Sequence, residues 1–145
     1  MSSPGIFRTS RQFEESPAAI FEAFADAATL ASWWGPDGFR NEFQEFDFRP
    51  GGSWKFVMVG PDGRRYPNES AFSRVEPASL VVIRHLSPPS FTLTIELTAT
   101  HGGTRLEWTQ EFDEPEVAAA IRHIVEPANE QNLDRLTTAL RRTGN

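Results

Sequence analysis

Residues 91–112, FTLTIELTATHGGTRLEWTQEF, constrain the fold more than any other stretch of the chain. Phe91, Leu93, Ile95, Leu97 and Ala99 alternate with threonines and Glu96, a period of two that reads as a strand with one apolar face. His101-Gly102-Gly103-Thr104 then supplies hairpin-turn chemistry. Leu106, Trp108, Gln110 and Phe112 return on one face of a second strand. Strands joined by so short a turn run antiparallel. An antiparallel sheet with one apolar face needs a cover.

The rest of the chain supplies further strands and that cover. IFRTSRQF at 6–13 reads as a first strand. Ser16 is placed to cap a helix that begins at Pro17 and carries Ile20, Phe21, Phe24 and Ala28 on one face. Asp26 or Thr29 caps a second short helix, which ends at Trp33 and Trp34 where Gly-Pro-Asp-Gly stops it. Phe39, Asn41 and Phe43 then alternate before the apolar face shifts to Phe46 and Phe48, which predicts a bulge or bend. After the Arg-Pro-Gly-Gly turn at 49–52, Trp54, Phe56 and Met58 share a face. Pro67 marks the start of the next strand as an edge or a bulge. Residues 79–86 form another strand, broken by Pro88-Pro89.

The tail turns helical. EPEVAAAIRHIV is a short helix candidate that Pro127 breaks or restarts. Asn129, Leu133, Leu136 and Leu140 then mark one face of a helix of about four turns. The predicted order is a strand, two short helices, about six strands and one long helix: an α+β chain whose sheet is covered by its C-terminal helix.

Composition narrows the function. The chain has 145 residues, a length that suits one domain spanning 1–145. A net charge of −6 with scattered arginines argues against a nucleic-acid partner. No cysteine is present, which excludes disulfides and thiolate metal sites or nucleophiles. No apolar run approaches a membrane span and no secretory signal is visible, so a cytoplasmic location is expected. Nucleophile elbows, phosphate-binding loops and His-Glu-x-x-His are absent. His123 and Glu126 lie at i, i+3, but His85 and His101 fall in other elements, too few ligands for a metal. No cofactor is expected.

FEAFADAATLASWWGPDGF, DFRPGGSWKFVMVGPDGR, VEPASLVV and GTRLEWTQEF together resemble the activator-of-heat-shock-protein-ATPase-like branch of the START/SRPBCC superfamily. That resemblance implies a helix-grip fold, in which a curved seven-stranded antiparallel sheet wraps the long C-terminal helix and leaves a cavity between them. It also implies three functional classes. The first is a binder of a small hydrophobic or aromatic molecule. The second is a cyclase- or hydrolase-like enzyme using the same cavity. The third is a co-chaperone module directed at a chaperone partner. Aromatic edges favour association, a homodimer included.

Adjacent residues cannot share a face, so Trp33 and Trp34 divide two roles. Trp33 is expected in the core, because Ile20, Phe24 and Leu30 need a bulky partner, and Trp34 at the cavity rim. The other expected lining residues are Phe43, Trp54, Phe56, Met58, Phe72, Phe91, Leu93, Ile95, Trp108, Gln110, His123, Asn129 and Leu133. Gln110 shares the face of Leu106 and Trp108, and a buried amide there needs a partner: a ligand, a water or a neighbouring Asn. Asn68, Glu69, Arg84 and His85 are further polar candidates. The register around Pro67 leaves the faces of Glu69 and Arg84 open; if they met inside they would form an acid/base pair.

Overall fold

The hairpin logic of the sequence closes into one sheet. A computed structural model describes residues 5–143. Its elements are β1 (Ile6–Phe13), α1 (Pro17–Ala25), α2 (Ala27–Trp33), β2 (Arg40–Phe46), β3 (Ser53–Val59), β4 (Arg65–Glu76), β5 (Leu80–His85), β6 (Phe91–Thr100), β7 (Gly103–Phe112) and α3 (Pro115–Thr143). The seven strands are ordered β1-β7-β6-β5-β4-β3-β2, every neighbouring pair antiparallel. With α3 laid across one face, this is the helix-grip fold. None of the described helices is long and apolar enough to cross a membrane.

Local chemistry sets the element ends. Ser16 Oγ accepts from the Ala19 N–H at 3.2 Å, and Pro17 opens α1. Asp26 caps α2, accepting from the Thr29 N–H at 2.9 Å and the Thr29 hydroxyl at 2.6 Å. The face shift of β2 is a register break between Phe43 and Glu45 against β3. Gly52 allows the next turn to fold under the sheet: a Cβ there would stand 1.8 Å from the Asp47 carbonyl oxygen. β5 pairs with β4 only from Ser70 onward, so Pro67 lies where β4 has a strand neighbour on β3 alone. A missing N–H is tolerated there.

Pro127 does not break α3. The helix runs unbroken from Pro115 to Thr143 with Pro127 inside it, so the two tail helices read from the sequence are one. Proline removes the bond to the carbonyl four residues earlier, that of His123. His123 and Pro127 are both exposed, so water can satisfy that carbonyl. Packing on both sides of the proline holds the helix on course. The first half of α3 covers Phe7 and Phe112 with Ala118, Ile121 and Val125. The second half drives Leu133, Leu136, Ala139 and Leu140 into the main core. Between these clusters α3 presents Ala128, Asn129 and Asn132 instead of large apolar groups.

Trp33 anchors the main core. It is 0% exposed, meets Phe24 edge-on at 5.0 Å and donates its Nε1–H to the Ala23 carbonyl at 3.1 Å. Beyond α2 the chain would leave a row of carbonyls without partners. Arg135 of α3 takes most of them. Its Nη1 donates to the carbonyls of Trp34, Gly35 and Pro36 at 3.1, 3.0 and 2.8 Å, and its Nη2 to those of Ser32 and Phe39 at 3.2 and 2.9 Å. Asn132 donates to the Trp33 carbonyl at 2.9 Å, and Asn41 to those of Ala31 and Trp34 at 3.1 and 2.9 Å. A cation at a helix C-terminus also complements the helix dipole.

Two stability predictions follow from these contacts. Trp33→Ala should cost about 3–5 kcal/mol in chemical denaturation, as for a fully buried aromatic. Arg135→Lys keeps the charge but loses the planar fork, and should cost about 1.5–3 kcal/mol in the same measurement. A loss near zero for the lysine variant would show that the carbonyls are satisfied without the guanidinium.

Candidate functional site

The gap between the two apolar clusters is a cavity of about 210 Å³. Its floor is the inner face of the sheet. Phe56 and Met58 come from β3, Phe91 and Leu93 from β6, and Trp108 and Gln110 from β7. Ile83 and His85 of β5 and Asn68 and Ser70 of β4 complete it. The roof is Ala128, Asn129 and Asn132 of α3, and one wall is Trp34-Gly35-Pro36. Gly35 has φ +95°, and a Cβ on it would stand 2.6 Å from Met58 Cε, so glycine lets the wall lie directly against that side chain.

Trp34 is the wall's main surface. It stacks on Trp108 at 6.0 Å and meets Trp54 and Trp33 edge-on at 5.2 and 5.6 Å. It is therefore an inner wall, 9% exposed, and not an open rim. Gln110 meets its partner requirement within the chain: Asn129 Nδ2 donates to its Oε1 at 3.0 Å. That bond ties β7 to α3 across one end of the cavity.

The other expected lining residues lie elsewhere. Trp54, Phe72, Ile95 and Leu133 are fully buried in the main core, at the end of the sheet that α1, α2 and the second half of α3 fill. Phe43 is half-buried near the β2 edge, against Phe46, Trp54 and Phe56. His123 is exposed and lines a separate surface groove with Phe7, Arg8, Arg122 and Glu126. Asn129 stands on the border of the two sites and lines both the groove and the cavity. Glu126 is paired with Arg122 at 2.8 Å. Among the described residues no group of three or more His, Asp or Glu side chains is placed to hold a metal.

Glu69 and Arg84 do not meet. Asn68 lies opposite Phe56 and Ser70 opposite Trp54 on the inner face, which turns Glu69 outward opposite Lys55. Arg84 also points outward and pairs with Asp113, whose carboxylate it holds below its ordinary pKa by hydrogen bonding. The inward polar residues are Asn68, Ser70, His85, Gln110, Asn129 and Asn132. His85 is the cavity's one titratable lining group; no Asp, Glu, Lys or Arg is among the lining residues. Burial is the main cause that holds its pKa below the ordinary value. The signal for β4 lay in its alternation: counting back from Phe72 puts Ser70 and Asn68 on the inner face.

Known proteins give the lineage of this architecture. A family model described as Activator of Hsp90 ATPase homolog 1-like protein matches residues 14–141. A solved protein from Nitrosomonas europaea is similar at TM-score 0.90 and 19% identity, covering 99% of this chain and 99% of its own. One from Rhodobacter sphaeroides gives 0.86 at 22% identity, over 97% of this chain and 95% of its own. An AHSA1 protein from Silicibacter pomeroyi gives 0.76 at 26% identity, over 93% of this chain and 96% of its own. No curated protein matches the chain. The family match runs from the end of β1 nearly to the end of α3, and the chain belongs to the family of Activator of Hsp90 ATPase homolog 1-like proteins.

Proposed function

We propose that this protein binds a small, planar, mostly apolar ligand in the cavity between its sheet and α3. The observation that carries this reading is the cavity itself, about 210 Å³ walled by Trp34, Phe56, Phe91 and Trp108. An engineered apolar cavity of about 150 Å³ takes up benzene, so the space here suits one aromatic ring with substituents. Apolar walls with a few fixed polar groups are the usual make-up of a small-molecule site. The polar groups here sit at two places, Asn68 with His85 and Gln110 with Asn129, and would orient the ligand. The family supplies a fold used for ligand binding, which agrees with this reading.

Trp34 and Trp108 both line the space, so an entering ring should change their fluorescence. Titration of single-ring aromatics should give saturable quenching, and native mass spectrometry of gently purified protein should show a bound small molecule. Trp34→Ala should widen the cavity and shift preference from one-ring to two-ring ligands by roughly tenfold, about 1.4 kcal/mol. Failure of every small aromatic to saturate the signal would refute the binding reading. An unchanged size preference in the variant would remove Trp34 from the wall.

A further inference from the structure

Of the two polar places in the cavity, one has hydrogen-bonding capacity to spare. At His85 the groups close on one another. Nδ1 lies 3.1 Å from the Pro89 backbone oxygen and Nε2 lies 2.7 Å from Asn68 Oδ1. Asn68 Nδ2 in turn donates to the Tyr66 carbonyl at 2.8 Å. At the other place a single bond joins two side-chain amides: Asn129 Nδ2 donates to Gln110 Oε1 at 3.0 Å. An amide carries an acceptor oxygen and two N–H donors. The bond therefore meets the need of the Gln110 oxygen alone. The Gln110 NH2 and Asn129 Oδ1 make no hydrogen bond among the described residues.

The sheet around Gln110 offers it nothing further. Its neighbours across the strands are Phe7 on β1 and Leu93 on β6, both apolar. Gln110 is 7% exposed. Yet neither free group is sealed in protein. Among the described residues, the sealed side-chain atoms without a partner belong to Glu15, Asn41, Trp54 and Trp108. Gln110 and Asn129 both line the cavity, Asn129 at its border with the surface groove. Two amides paired head to tail would use a second mutual bond. Here one bond forms, and a donor and an acceptor stand side by side for a third group. A purely apolar ring would cover both and leave them bare, at a cost in affinity. A carboxylate would bring an acceptor without a donor, and no Lys or Arg is among the lining residues to hold its charge.

We propose, resting on the binding reading above, that the cavity selects neutral aromatic lactams, whose ring holds a carbonyl and an N–H on the same edge. The ligand carbonyl accepts from the Gln110 NH2, and the ligand N–H donates to Asn129 Oδ1, closing a ring of three amides. The arene takes the apolar space beside Trp34 and Trp108. Gln110 and Asn129 are then the residues that set specificity. A site built to hydrogen-bond an N–H rejects the analogue that lacks it, because its own buried acceptor is left unpaired.

The test compares isoindolin-1-one with phthalide, the lactone that keeps the carbonyl and replaces the N–H by a ring oxygen at nearly the same size. Both are titrated onto the full chain by calorimetry, beside indane, which has neither group. The expected result is a lactam bound roughly tenfold tighter than the lactone, whose ring oxygen would face Asn129 Oδ1 with no proton between them. Asn129→Ala, a substitution that a helix accepts readily, should bring the two affinities within roughly twofold, chiefly by weakening the lactam. The ratio is first read on the unaltered chain, so a variant that fails to fold does not decide the matter. Equal affinities for lactam and lactone, or binding of indane alone, would overturn the lactam selectivity and leave ligand binding standing. A preference that survives Asn129→Ala would overturn the role of Asn129. If neither these probes nor any other single-ring aromatic binds, the binding reading falls as well.

Discussion

The grip between Arg135 and the backbone that follows α2 is the contact on which the rest of the site depends. Five carbonyls from Ser32 to Phe39 converge on one guanidinium. None of them has a helical partner, and at the buried Trp34 and Gly35 a bare carbonyl would cost free energy. Gathering them on a side chain of α3 does two things. It lets the chain reverse sharply into β2, and it fixes that reversal against the helix, while Asn41 fixes it against the sheet. Trp34 is thereby held as a wall while Trp33, one residue earlier, is locked into the core. The guanidinium stays protonated although burial pulls its pKa down, because arginine ionises far above neutrality.

The cavity is a consequence of where α3 carries bulk. Ala118, Ile121 and Val125 pack at one end and Leu133, Leu136 and Leu140 at the other. Between them Ala128 is too short to reach the sheet, and Asn129 and Asn132 spend their amides on Gln110 and the Trp33 carbonyl. A leucine at 128 or 129 would have apolar neighbours to fill toward. The void is thus written into the side-chain sizes of one helical turn, and the hydrogen bonds at 129 and 132 keep that turn from collapsing inward.

Much of this was legible in the sequence, and the limits have physical causes. Caps at Ser16 and Asp26, the bulge after Phe43 and the hairpin at 101–104 depend on local chemistry, and local chemistry is what a sequence displays. The inward positions of Phe56, Met58, Leu93 and Gln110 followed from a period of two. His123 was misplaced because reading a break at Pro127 discards the phase between the two halves of α3. Once the helix is continuous, His123 falls on its exposed side, in the surface groove that Asn129 borders. Phe72, Ile95 and Leu133 have the correct face but the wrong end of the sheet, a distinction that depends on where α1 and α2 sit. Asn68 could be reached by counting back from Phe72, but His85 needed the register of β4 against β5, which runs through a second irregularity between Phe72 and Arg74.

The bulge in β2 has a bearing on the open borders of the sheet. An open sheet of seven strands ends in two edges, β1 and β2. An exposed edge is a template on which a second chain can add a strand. Along β1, Arg11 reaches to Glu130 and Asp134 of α3 at 3.0 and 2.6 Å, bracing the helix against that border. β2 is tied instead to α2, through Asn41. It interrupts its ladder at the bulge and sets Arg40, Glu42 and Glu45 along its length. A neighbour would have to match an irregular hydrogen-bond spacing and bury charges already engaged with Arg65 and Lys55. The kink that moves Phe46 and Phe48 onto the core thus also makes β2 a poor template for a further strand.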